Sequence, residues 1–149
     1  QQNLDALEQT GWVIKETLRL HPPLILIPRR AQTDMQFEGT HIPKGTPVTL
    51  LLYHNHNNNA YFSNPQSFDP KRFSAAINEH KKCPHAYAPF GAGQHFCLGH
   101  VFADLQMKLV LYQLLTNYSW QLPAGYEPVY THIPIQHPKD GLRMIFEQR

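Results

Sequence analysis

Seven apolar residues, Leu98, Val101, Phe102, Leu105, Leu109, Tyr112 and Leu115, repeat at helical spacing directly behind the glycine-rich stretch PFGAGQHFC, which runs from Pro89 to Cys97. The pattern predicts a helix from about Leu98 to Asn117 with its N-terminus at Cys97, the longest element of the chain. A thiol in the first turn of a helix feels the positive end of the dipole and unpaired N–H groups, and both favour the thiolate. Cys97 is thereby a poised ligand or nucleophile. Gly91, Gly93 and Gly99 carry no Cβ, so the backbone can approach a flat or bulky object and adopt positive φ. Something is expected to lie against this loop.

The other elements are shorter. Leu4, Leu7, Ile14 and Leu18, with Val13 beside them, keep helical spacing until His21-Pro22-Pro23 stops the helix. LILIP and TPVTLLLY, separated by the turn PKGT, read as two or three strands of a small sheet. From His54 to Pro89 three successive asparagines and repeated prolines predict irregular but ordered coil, long enough to have a function. YTHIPI and GLRMIFEQ flank QHPKDG and predict a closing hairpin. The fold class is mainly α with a small β portion.

Composition narrows the function. At 149 residues, 42% hydrophobic and 16% charged, the chain suffices for one globular unit with a real core. It starts at Gln1 inside a helical pattern, so it reads as a piece of a longer protein. A net charge of +2 with scattered basic residues excludes a stripe of the kind that follows phosphates, and nucleic acid is not an expected partner. Cys83 and Cys97 form neither a C-x-x-C pair nor a secreted framework, so reduced thiols are expected. The histidines, His54 and His56 apart, are dispersed, with no H-E-x-x-H or Cys/His quartet for zinc. No apolar run is long enough for a membrane span and no signal-peptide pattern is present.

The loop admits three bland explanations. As a phosphate cradle it fails, because the third glycine of G-x-G-x-x-G is Phe96 and no Lys-Ser/Thr follows. As a nucleophile site it would need His95 or His100 as base, yet sequence neighbours at a helix start rarely aim at each other. A lone cysteine is most often a small buried hydrophobe.

Context favours a ligand. Phe90, Gly93, His95, Cys97 and Gly99 resemble the F-x-x-G-x-[R/H]-x-C-x-G signature of the cytochrome P-450 superfamily, the haem-thiolate monooxygenases. ETLR (Glu16 to Arg19), RRA (Arg29 to Ala31) and FDPKRF (Phe68 to Phe73) follow the same family's order, so the resemblance covers essentially the whole chain. It implies that residues 1–149 are the C-terminal portion of a single such domain, without the part that bears the distal helix.

The resemblance also assigns roles. Cys97 would be the iron ligand of haem b, iron protoporphyrin IX, its sulfur pushing electron density toward the metal. Gly91, Gly93 and Gly99 would let the loop lie close under the porphyrin, while Phe90 and Phe96 would supply apolar cover that limits water at the sulfur. His95 and Arg29 would meet the haem propionates in charge-assisted contacts, with Arg30 the alternative to Arg29. Glu16 and Arg19, three apart on one helical face, would contribute only about 0.2–0.5 kcal/mol as an exposed pair. In the family such a pair joins the arginine matched by Arg72 in a buried network. Leu24, Leu26 and Ile27, with Ile133 and Pro134, match regions that line the substrate pocket.

The implied reaction inserts one atom of O2 into a lipophilic substrate of sterol, retinoid or fatty acyl type, with electrons from a reductase or ferredoxin. LRLHPPLILIPRRA is similar to sterol demethylases and PKDGLRM to retinoid hydroxylases. The alternative is a haem-binding module or inactive fragment, since the oxygen-activating acid-alcohol pair of the family is not in this sequence. Location stays open between the cytoplasm of a bacterium and, given an N-terminal anchor, the endoplasmic-reticulum membrane of a eukaryote. Two positions depart from the family. Lys71 replaces a frequent glutamate before Arg72, and HNNN from His56 stands in place of H-R-D-P.

Overall fold

The computed structural model describes residues 2–132 and 135–149, with the backbone alone for residues 2–7. Helix α1 (Gln2–Leu20) leads into strand β1 (Ile27–Arg30), then β2 (Met35–Phe37), β3 (Thr40–Ile42), β4 (Pro47–Leu50) and the short helix α2 (Leu52–His56). Single 3₁₀ turns follow at Pro70–Phe73, Glu79–Lys81 and Gly93–His95 before helix α3 (His100–Asn117). Strands β5 (Tyr118–Gln121), β6 (Tyr130–Thr131), β7 (His137–Pro138) and β8 (Ile145–Gln148) complete the chain. The fold is mainly helical with a small β portion.

The strands form four separate antiparallel pairs. β1 pairs with β4, placing Arg29 opposite Val48, and β2 pairs with β3 across Glu38-Gly39, both at positive φ as a tight two-residue turn requires. LILIP and TPVTLLLY thus meet in one ladder, but the second strand ends at Leu50. Leu52 and His56 are both buried four residues apart, so helical rather than alternating spacing prevails after Leu51.

Two further expectations need correction. The last apolar run does not fold back on YTHIPI: β8 pairs with β5, with Trp120 opposite Phe146, while β6 pairs with β7. The cross-strand Trp120–Phe146 and Tyr118–Phe146 ring contacts, at centroid distances of 6.1 Å, favour that partner. The second correction is the start of α3. The helix begins at His100 with Gly99 as its N-cap, and Cys97 lies two residues before the cap.

The buried core gathers where α1 meets the chain between α2 and Ala88. Ile14, Leu52, Phe62, Phe73, Ala86 and Ala88 fill it, so the stretch read as coil is the packed centre of the molecule. Its irregular path is fixed by α1 on one side and by rings on the other, Phe73 standing 5.0 Å from Tyr87 and 4.9 Å from His80. α3 is the opposite case. None of its residues is buried, and Val101, Phe102, Leu105, Leu109 and Val110 are all exposed, Phe102 at 70%. A helix apolar on every side belongs inside a protein, so α3 carries surface made to be covered. No helix among the described residues is long and apolar enough to cross a membrane.

Candidate functional site

The Cys97 loop is shaped by its backbone. Gly91 and Gly93 have φ of +77° and +64°, and a Cβ on Gly91 would stand 3.3 Å from the His95 carbonyl oxygen, so a side chain there would meet both strain and crowding. The Cys97 N–H donates to the Phe90 carbonyl at 2.9 Å and closes the loop. The Cys97 side is open to solvent, and the following Leu98 is 99% exposed. Phe96 packs edge-on against His100 at 4.6 Å, and His100 Nδ1 donates to the Cys97 carbonyl at 3.0 Å rather than to its sulfur. No base is aimed at the thiol among the described residues.

Between α1 and the chain from His56 to Glu79 sits a charged cluster almost without solvent access. Arg19 and Glu16 are 0% exposed and paired twice, Nε to Oε2 at 2.7 Å and Nη2 to Oε1 at 2.8 Å. Arg72 donates Nε to Glu16 Oε1 at 3.0 Å, which also accepts the Asp69 N–H at 2.9 Å. Further guanidinium hydrogens go to backbone carbonyls: Arg19 to His56 at 2.7 Å and Ser67 at 3.3 Å, Arg72 to Ser63 at 3.0 Å and Ser67 at 3.2 Å. The Arg19 guanidinium also lies 5.3 Å from the Phe62 ring centroid, within cation–π range. Helix α1 thereby grips the chain from His56 to Phe73 at both ends.

Sequence reasoning missed Glu79. It accepts from Arg72 Nη1 and from both the hydroxyl and the N–H of Ser63, the last at 2.9 Å. Burial pushes the Glu79 carboxyl up, but the Ser63 and Arg72 hydrogen bonds outweigh it and hold the group below the usual range. Burial likewise opposes the charge of Arg72, and its bonds to Glu79 and Glu16 more than restore it. A signal was available in the charges: two buried arginines with one glutamate are an anion short, and a buried surplus charge is costly. Glu79 is the first acid after Arg72 in the sequence. The second residue missed is His56, fully buried, whose Nε2 accepts the Ala88 N–H at 3.1 Å.

The other expected site residues are placed less tightly. Arg29 is half-buried and donates to the Pro28 carbonyl at 2.9 Å, with no carboxylate partner among the described residues. Arg30 is exposed and donates to the Gly45 carbonyl at 2.6 Å. His95 is exposed with no side-chain partner among the described residues. Leu26 lines an apolar groove of about 400 Å³ with Ile25, Leu51, Tyr53, His54 and His132, whereas Leu24 and Ile27 lie off that lining. Ile133 and Pro134 lie outside the described residues.

This donor set can hold a flat, iron-bearing group. It offers one exposed soft sulfur, a loop in which a Cβ on Gly91 would be crowded, the rings of Phe90 and Phe96 beside His100, and cationic or protonatable side chains without anionic partners among the described residues.

Comparison with known proteins bears on that chemistry. The family model described as Cytochrome P-450 matches residues 1–142. The chain is 37% identical over 140 residues to abscisic acid 8'-hydroxylase 4 of Arabidopsis thaliana, covering 93% of this chain and 28% of that protein. It is 36% identical over 146 residues to cytochrome P-450 26C1 of Homo sapiens, covering 96% of this chain and 28% of that protein. The solved structure titled "Retinoic acid bound cyanobacterial CYP120A1" superposes with a TM-score of 0.89 at 34% identity, over 95% of this chain and 33% of that one. The chain therefore spans about a third or less of the length of the relatives it matches.

Proposed function

Because the chain belongs to the cytochrome P-450 family, we propose that Cys97 is the thiolate ligand of a haem iron in a monooxygenase of which residues 1–149 form the C-terminal portion of one domain. The family uses haem; b-type haem, held only through Cys97 and non-covalent contacts, is the form these residues suit. When bound, that group supplies the activation of O2, with electrons from a reductase or ferredoxin.

What the chain's own residues do is hold and shield. Cys97 presents its sulfur on the open side of the loop, while its N–H is engaged by Phe90. With the group bound, Phe90 and Phe96 would limit water at the sulfur, which would raise the weight of every nearby dipole. Arg29 and His95 take the two propionates. Leu26, which lines the apolar groove, would orient a lipophilic substrate of sterol, retinoid or fatty acyl type. The similarity to a structure titled with retinoic acid favours the retinoid class.

The observation that carries this reading is the exposed Cys97 on a closed glycine loop. The test is Cys97→Ser in the intact parent protein, reduced and exposed to carbon monoxide. Loss of the red-shifted band of thiolate-bound ferrous haem is expected, and its retention in the serine variant overturns the assignment.

A further inference from the structure

His56 ends α2 at the centre of the molecule, with no part of it reaching solvent. Its carbonyl accepts Arg19 Nη1 at 2.7 Å, and its ring Nε2 accepts the Ala88 N–H at 3.1 Å. A nitrogen that accepts carries no proton, so the neutral ring bears its hydrogen on Nδ1. That atom is buried and has no partner among the described residues. The ring also lies 5.4 Å from the Tyr87 ring, whose hydroxyl donates to the Lys15 carbonyl at 3.0 Å.

Two residues beyond Ala88 stands Phe90, whose carbonyl accepts the Cys97 N–H at 2.9 Å; the Ala88 carbonyl itself accepts the Gly91 N–H at 2.9 Å. A continuous series of links therefore runs from Glu16 through Arg19, His56 and Ala88 to the carbonyl that holds Cys97. Ala88 is buried, so its N–H has no water to replace the imidazole. An apolar side chain of the same volume would fill the space and leave that donor unsatisfied.

We propose that His56 is a positioning residue: its Nε2 fixes Ala88 so that the Phe90 carbonyl meets the Cys97 N–H and the sulfur keeps the register of an iron ligand. The inference rests on Cys97 being that ligand. A histidine that only filled the core would be replaceable by leucine without effect at the sulfur.

The experiment compares His56→Leu and His56→Gln in the full-length holoenzyme. Glutamine can offer an oxygen near the place of Nε2, whereas leucine offers volume alone. Two signals are read, the persistence of the red-shifted carbon monoxide band and the hydrogen exchange of the Ala88 and Cys97 amides. In the leucine variant both amides exchange roughly tenfold faster, as loss of one buried hydrogen bond requires, and the thiolate band decays faster by a similar factor. Glutamine restores both. Parent-like exchange and band persistence in the leucine variant, or a glutamine variant no better than leucine, overturns the inference.

If neither variant yields holoenzyme, the unmodified protein decides. A common exchange rate at Ala88 and Cys97 supports the link, and independent rates refute it. An unmodified parent lacking the thiolate band would instead refute the Cys97 ligand reading, a different failure from a band that ignores His56.

Discussion

Arg72 and Glu79 form a buried ion pair that balances the charge of the cluster around α1: Arg19 and Arg72 face Glu16 and Glu79, two cations against two anions. The balance explains why Lys71 can stand where a glutamate is frequent in the family. Lys71 is exposed and takes no part, and the needed anion arrives from seven residues beyond Arg72.

Charge balance ranks two substitutions. Arg19→Ala strands Glu16 at 0% exposure with Arg72 as its remaining cation, and the expected cost is about 3–5 kcal/mol, enough to lose folded holoprotein. Glu79→Ala leaves Arg72 with Glu16 and two carbonyls, so the expected cost is smaller, about 1.5–3 kcal/mol. Yield of folded protein and urea midpoints of the intact parent measure both. Equal costs would show that the cluster does not share charge as described.

Acid should weaken the fold through His56. Burial lowers its pKa from 6.5 to about 4, against the hydrogen bond with Arg19 and with the smaller help of the Arg19 charge. Between those values the unfolded chain takes up a proton that the folded one refuses, so stability falls as pH falls, by on the order of 3 kcal/mol in total. Above pH 6.5 the term vanishes. Glu79, held below its ordinary range, adds a loss only as pH drops further through the carboxylate region. Urea midpoints between pH 7 and 4.5 should decline in the parent and decline less steeply in His56→Gln, where His21 and His80, also lowered by burial, still contribute.

His95→Ala should loosen haem retention and leave the thiolate spectrum of the retained haem unchanged, because the His95 side chain is exposed and free of protein partners among the described residues. Haem loss to an apoprotein acceptor gives the first quantity and the carbon monoxide spectrum the second. An altered axial-ligand spectrum would assign His95 a different role.

Residues 1–149 expressed alone should bind an apolar dye, self-associate and show no monooxygenase turnover. Phe102, Leu105 and Leu109 on α3 are exposed among the described residues, and apolar area of that kind drives association. Sedimentation after haemin addition, with a turnover assay using peroxide, checks this. A monodisperse, active preparation would show that the rest of the protein is dispensable.

Local pattern was enough for several features because each depends on near neighbours. Helical spacing and the His21-Pro22-Pro23 stop marked α1, the pattern to Asn117 marked the end of α3, and the glycines around Cys97 marked a loop with positive φ. The network of Glu16, Arg19 and Arg72 was legible only through the family resemblance, since a charge pair three residues apart reads by itself as an exposed one.

Tertiary structure decided what depends on distant partners. The apolar runs at Thr46 and Gly141 were visible, but β8 takes β5 rather than the nearer strand because Phe146 finds Trp120 and Tyr118 there. Leu51-Leu52-Tyr53 reads as strand until the core claims Leu52 and His56 at helical spacing. Glu79 and His56 look like surface residues of a polar loop. Only the folded chain removes water from them, and desolvation leaves Arg72 in need of Glu79 beside Glu16, and the Ala88 amide dependent on one imidazole.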